Sequence, residues 1–198
     1  QWNGDSMGDH FGLSVGGGHD VDGDGVEDVV AGGGQMYGPG YARVYSGADG
    51  SVLFAWTGGP PDPPSGPPSP LNFGQEVAFV GDTTGDGRSE ILVGDPGDPN
   101  GGSVSLFAGA GGGLLFKLNG GSPDPGIGEA IGAAGDVDGD GVADLAVGAP
   151  SDDPNGPSSG SVRAYSGIDG TLLFQGNGQS AFGAMGSGVG GVGDVNGD

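Results

Sequence analysis

Apolar residues return to the same places four times along this chain. A large apolar residue followed by glycine occurs at Phe11-Gly12, Phe73-Gly74, Ile127-Gly128 and Met185-Gly186, and Val15, Val77, Ile131 or Val189 follows four positions later. That even offset predicts the inward face of a short strand. Next come apolar runs closed by glycine, Val29-Val-Ala-Gly32, Ile91-Leu-Val-Gly94 and Leu145-Ala-Val-Gly148. Such uninterrupted runs read as strands buried on both faces. A third strand is expected at Ala42–Tyr45, Val104–Phe107 and Val162–Tyr165, and a fourth ending at Phe54, Phe116 and Phe174. Between the third and fourth lie residues 46–50, 109–113 and 166–170, rich in Gly, Asp and Ser, which is hairpin-turn chemistry.

Each repeat therefore reads as a four-stranded antiparallel meander. A sheet that small has little core of its own and must stack on copies of itself, and radial stacking gives a β-propeller. The expected fold is all-β, with about three propeller-type blades and partial repeats at both ends. Residues 1–10 would end a preceding repeat, 11–72 form repeat one with a proline-rich connector at 60–70, 73–126 repeat two, 127–181 repeat three, and 182–198 the start of repeat four. Residues 1–24 align without gaps to 175–198, so the chain is expected to be a window on a longer repetitive protein.

Composition narrows the class further. With 52 glycines and 15 prolines among 198 residues, and 33% hydrophobic residues, a helical globule is excluded. The fixed placement of the apolar residues argues against disorder. Twenty-six acids face four bases, Arg43, Arg88, Lys117 and Arg163, for a formal net charge of -22. Nucleic acid and anionic membrane would be repelled. There is no cysteine, hence no disulfide and no thiolate chemistry, and no apolar run approaches the length of a membrane span.

The acids are concentrated in a recurring loop: Asp20-Val-Asp-Gly-Asp-Gly-Val-Glu-Asp28, Asp82-Thr-Thr-Gly-Asp-Gly-Arg-Ser-Glu90, Asp136-Val-Asp-Gly-Asp-Gly-Val-Ala-Asp144, and Asp194-Val-Asn-Gly-Asp198. Acidic side chains at alternate positions are a calcium-site pattern, and like charges this close repel unless a cation sits among them. An EF-hand fits poorly, since the twelfth position holds Ala31, Val93 or Val147 where a bidentate glutamate is wanted. Calcium loops favour an extracellular setting, where the ion is plentiful enough to keep weak sites filled. Catalysis is not expected, because four copies of one motif point to structure and no nucleophile with a paired base is evident.

The order of motifs, an apolar-Gly pair, then Asp-x-Asp-x-Asp-Gly-x-x-Asp, then Val147-Gly-Ala-Pro150 or Val93-Gly-Asp-Pro96, resembles the FG-GAP repeat of integrin α-subunit propellers across essentially the whole chain. The resemblance implies calcium in the hairpin between the first and second strands of each blade, held by side chains at positions 1, 3, 5 and 9 and by the carbonyl at position 7. The first site would then use Asp20, Asp22, Asp24, the Val26 carbonyl and Asp28. The third would use Asp136, Asp138, Asp140, the Val142 carbonyl and Asp144. Gly25 and Gly141 would sit where a Cβ obstructs the wrap around the ion. In the second loop Thr84 replaces an acid and Glu90 is longer than aspartate, so Asp82, Thr84, Asp86, the Arg88 carbonyl and Glu90 should bind more weakly, with the Arg88 charge acting the same way. Asp194, Asn196 and Asp198 form an incomplete fourth set.

His10 and His19 lack a partner at ligand spacing, and Trp2 and Trp56 are expected to pack between blades. The segments after the second strands, 95–102 and 151–160, and the connector at 60–70 would share the face opposite the calcium loops. Variable loops on a fixed scaffold usually carry recognition, so a protein or carbohydrate ligand is expected there. The expected function is a non-enzymatic, calcium-stabilised extracellular scaffold for adhesion or ligand binding. Alternatives are a subunit of a fibre or cell-surface array, self-associating through further repeats, and a non-catalytic propeller attached to a secreted hydrolase.

Overall fold

The computed structural model describes residues 1–5, 7–34, 39–59, 72–121 and 126–191. Among these described residues, twelve strands fall into three sheets of four, each antiparallel and wound in chain order. Blade 1 comprises β1 (Val15–His19), β2 (Asp28–Gly33), β3 (Tyr41–Tyr45) and β4 (Val52–Thr57). Blade 2 comprises β5 (Val77–Phe79), β6 (Ile91–Asp95), β7 (Ser103–Phe107) and β8 (Leu114–Asn119). Blade 3 comprises β9 (Ala130–Gly135), β10 (Asp144–Ala149), β11 (Ser161–Tyr165) and β12 (Leu172–Asn177). These are β-propeller-type blades. The leading strands lie side by side, β1 against β5 and β5 against β9, while the fourth strands form the outer rim.

The core lies between the sheets and never within one. On β6, Ile91 and Val93 face back into a cluster with Val30, Ala42 and Val44 of blade 1, while Leu92 faces forward into one with Leu145 and Val147 of blade 3. Alternate residues of one strand thus serve two cores, and this explains why the second-strand runs are apolar without interruption.

Two sequence expectations are corrected. Phe11 and Phe73 lie in turns ahead of the first strands, because their glycines adopt positive φ (Gly12 85°, Gly74 80°) that ends extended chain. The fourth strands do not end at Phe54, Phe116 and Phe174 but run through them to Thr57, Asn119 and Asn177, staying paired to the third strands.

The glycine that closes each second strand proves to be a contact between blades. A Cβ on Gly32 would lie 2.0 Å from the Gly74 carbonyl oxygen, on Gly94 2.3 Å from that of Gly128, and on Gly148 2.0 Å from that of Gly186. The apolar-Gly turn of each repeat is therefore pressed against the second strand of the blade before it. Trp56 makes a parallel contact at the rim, stacking on Phe107 of blade 2 at 4.5 Å and donating its indole N–H to the Gly112 carbonyl at 2.8 Å. Trp2 repeats this on blade 1, with Tyr45 at 4.6 Å and the Gly50 carbonyl at 2.9 Å. His19 packs on the Phe79 ring at 5.3 Å, also across the blade 1–blade 2 boundary.

A methyl group at the glycine contact has nowhere to go but into backbone. Gly94→Ala should lower stability by about 1–3 kcal/mol. Gly113→Ala, at a turn position with open space around it, should stay within about 0.5 kcal/mol of the parent. Urea-denaturation midpoints of the two variants give the comparison.

Candidate metal centres

Each acidic loop joins the first and second strands of a blade, and all three fold alike. The first carboxylate caps the turn from inside: Asp20 accepts the Gly23 N–H at 2.7 Å through Oδ1 and the Gly25 N–H at 2.8 Å through Oδ2. Asp82 does the same with Gly85 and Gly87, and Asp136 with Gly139 and Gly141. The fifth residue accepts from the seventh, Asp24 from Val26 and Asp140 from Val142 at 2.8 Å, and Asp86 from Arg88 at 2.9 Å. Gly25 and Gly141 have φ of 87° and 88°, and a Cβ at either would meet nothing within 4 Å. The left-handed backbone at these positions is by itself a requirement for glycine.

The ninth residue is the anchor. Asp28 is fully buried, accepting the Val21 N–H at 2.7 Å on Oδ2 and, on Oδ1, the Gly47 N–H at 3.0 Å from the turn between β3 and β4. Asp144 is buried likewise and joins Val137 at 2.7 Å to Gly167 at 3.1 Å. This brace between two hairpins was not anticipated, although the Ser-Gly pairs at 46–47 and 166–167 marked it. Glu90, one methylene longer, turns its carboxylate onto its own loop, accepting from the Thr83 N–H and hydroxyl and from the Thr84 hydroxyl at 3.3 Å.

Three acidic groups converge in every loop: Asp20, Asp22 and Asp28; Asp82, Asp86 and Glu90; Asp136, Asp138 and Asp144, with one carboxylate oxygen from each lying within 4.8 Å of the others. Two oxygens that each coordinate calcium at about 2.4 Å can be no farther apart than about 4.8 Å, so these donor sets fit one hard cation apiece. Asp24 and Asp140 stand outside these triads, turned to the backbone at position seven. Thr84 faces Glu90, and Val26, Arg88 and Val142 follow the position-five turn in each loop. Asp194, Asn196 and Asp198 lie outside the described residues.

The electrostatics match the geometry. Hydrogen bonds from Gly25 above all hold the Asp20 carboxyl below its usual range, against some burial and with help from the Gly23 N–H and the Arg88 charge. At Asp82 burial pushes upward, but the Gly87 and Gly85 N–H donors outweigh it and the net direction is down. Asp138 is raised, first by desolvation and then by the charges of Asp140, Asp144 and Asp136. Arg88 does not lean on its own loop: its Nη1 donates to the Val21 carbonyl at 3.2 Å, so its charge lies beside the first loop.

Family comparison agrees with this geometry. The FG-GAP repeat family matches residues 128–165, and the FG-GAP-like repeat family residues 20–93. Integrin alpha-PS5 of Drosophila melanogaster is 32% identical over 164 residues, 75% of this chain and 16% of that protein. Integrin alpha-PS2 of the same fly is 35% identical over 178 residues, 76% of this chain and 12% of that protein. The chain thus spans less than a fifth of either relative. The crystal structure of the rhamnogalacturonan lyase YesW superposes with a TM-score of 0.53 at 16% identity, over 84% of this chain and 35% of that one, a likeness of fold alone.

The two kinds of acid should separate experimentally. Asp144→Ala should cost about 3 kcal/mol even in excess chelator, because it leaves two buried N–H donors unpaired. Asp138→Asn should leave stability in chelator unchanged or slightly higher, since it relieves repulsion, while weakening any calcium response. Parallel denaturation with and without calcium reads both. With acidic loops that converge, four-stranded blades that stack, and FG-GAP and FG-GAP-like repeat matches over residues 128–165 and 20–93, this is a chain of FG-GAP repeats.

Proposed function

We propose that this protein is a calcium-stabilised, extracellular propeller segment that serves as a scaffold for adhesion or ligand binding, without catalysis of its own. The observation that carries the reading is a carboxylate triad at the same hairpin of all three blades, built from loop positions one, three and nine in blades 1 and 3 and from one, five and nine in blade 2. Similarity to integrin α subunits supports an adhesive role and a cell-surface setting. No helix among the described residues is long and apolar enough to cross a membrane.

Calcium would act by replacing repulsion with coordination. The unfolded chain has no formed site, so binding adds directly to folding stability. The first and third loops, with four aspartates each, are assigned the tighter sites and the second loop the weaker one. The segments 95–102 and 151–160, after β6 and β10, emerge at the opposite end of the strands and are assigned to recognition of a protein or carbohydrate; the connector at 60–70, assigned to the same face, lies outside the described residues.

A second reading, end-to-end stacking into a fibre or array, draws on one observation. The same glycine contact recurs at each blade boundary, Gly32 on Gly74 and Gly94 on Gly128, a heterologous interface of the kind that propagates when it does not close. Sedimentation in calcium separates the readings, as discrete particles or as filaments.

Millimolar calcium should raise the melting temperature by several degrees, because each site at a hundredfold excess over its Kd contributes about 2.7 kcal/mol. Chelation should reverse the shift. An identical melting curve in calcium and in chelator would remove this mechanism.

A further inference from the structure

The third strands carry a residue at one fixed register position, opposite Ala31 in blade 1, Val93 in blade 2 and Val147 in blade 3. In blades 1 and 3 that residue is an arginine. Arg163 pairs with Asp152 of the preceding loop at 3.0 Å, and Arg43 pairs with Asp5 while lying 4.5 Å over the Tyr41 ring. In blade 2 the position holds Ser105. The side chain that fills the groove in front of the blade is therefore cut short, and an open cleft of about 430 Å³ stands there between blades 1 and 2.

That cleft lacks one positive charge. Asp98, which corresponds to Asp152, already holds Lys117 at 2.6 Å, and Lys117 lies directly across the strand pair from Ser105. The cleft contains a second acid, Asp95, where blades 1 and 3 have Gly33 and Ala149. Strand alternation places Asp95 on the same face as Ser105 and Lys117. Asp95 is only 6% exposed, and its Oδ1 has no hydrogen-bond partner among the described residues. Burial, followed by the nearby Asp98 charge, raises its pKa, and the Lys117 charge and the Gly97 and Asn72 N–H groups offset this only in part. A buried carboxylate oxygen without a donor is costly, and the donor that best offsets it carries a positive charge.

We infer that the cleft between blades 1 and 2 is a binding site for an organic cation, a guanidinium or ammonium group on a short aliphatic stem, with Asp95 as the counter-charge. Phe107 and Leu114 line the wall and suit the stem, as apolar surfaces do for lysine and arginine side chains. The ligand's head takes the place that an arginine of the chain takes in the other two blades. The cleft sits at the far end of β6 from the acidic loop, on the face assigned above to recognition. The inference deepens that reading and rests on it for its biological meaning, not for its chemistry.

N-acetyl-argininamide and its neutral isostere N-acetyl-citrullinamide are the probes, titrated into the purified protein at physiological salt with calcium in excess. Amide resonances of Ser105, Phe107 and Leu114 report binding, and each sample's calcium-dependent melting shift is recorded alongside. The arginine probe should shift those resonances saturably, and the citrulline probe should bind at least tenfold more weakly. Asp95→Asn should weaken the arginine probe tenfold or more. Ser105→Arg should abolish binding, because it restores the tethered arginine of the other blades. Equal binding to the parent and to either folded variant would mean general attraction to an acidic surface and would overturn the assignment, as would no saturable shift at millimolar probe. Absence of a calcium melting shift with the probe still bound would count against the calcium scaffold alone.

Discussion

Everything in this fold hangs on a buried acid at the end of each loop. Asp28 and Asp144 have no exposed surface, yet each holds two backbone N–H groups from two different hairpins. A carboxylate removed from water is tolerable only when its lone pairs are occupied. Here the occupants are the start of the acidic loop and the turn between the third and fourth strands, so one side chain fixes both hairpins of a blade at the same end. The remaining acids of the loop then have a defined place to converge, which a cation can occupy.

The same end-to-end asymmetry organises function. A blade is one sheet thick, so its interior is the gap to its neighbour, and contacts such as Gly32 to Gly74 and Trp56 to Phe107 decide how closely the blades pack. Among the described residues the converging charged groups lie at the strand ends. One end collects acids in three near-identical copies, which is the behaviour of a structural element. At the other end the blades differ: where two carry an arginine, blade 2 carries Ser105 and adds Asp95. Repetition marks what supports the fold, and the break in it marks what distinguishes this protein.

Much of this was legible in the sequence, for physical reasons. Strand order, turns and the double-faced burial of the second strands follow from period-two alternation and the placement of glycine. The loop acids announce themselves by spacing. Three things were not legible. Phe73-Gly74 looks like strand until the positive φ of Gly74 is known. Arg88 sits inside the second loop, but its side chain crosses to the first, which spacing cannot express. The Asp95 cleft required comparing residues by register across blades, since Ser105 alone is an unremarkable strand serine.

The account's central claim is that the three carboxylate triads are calcium sites, and that in the first and third loops the ninth residue also ties the loop to the second hairpin of its blade. Anomalous-difference maps from crystals grown with millimolar calcium test it most directly. The account predicts one peak in each of the three loops, ligated by Asp20, Asp22 and Asp28, by Asp82, Asp86 and Glu90, and by Asp136, Asp138 and Asp144. Maps with no peak in the first and third loops under those conditions would contradict it.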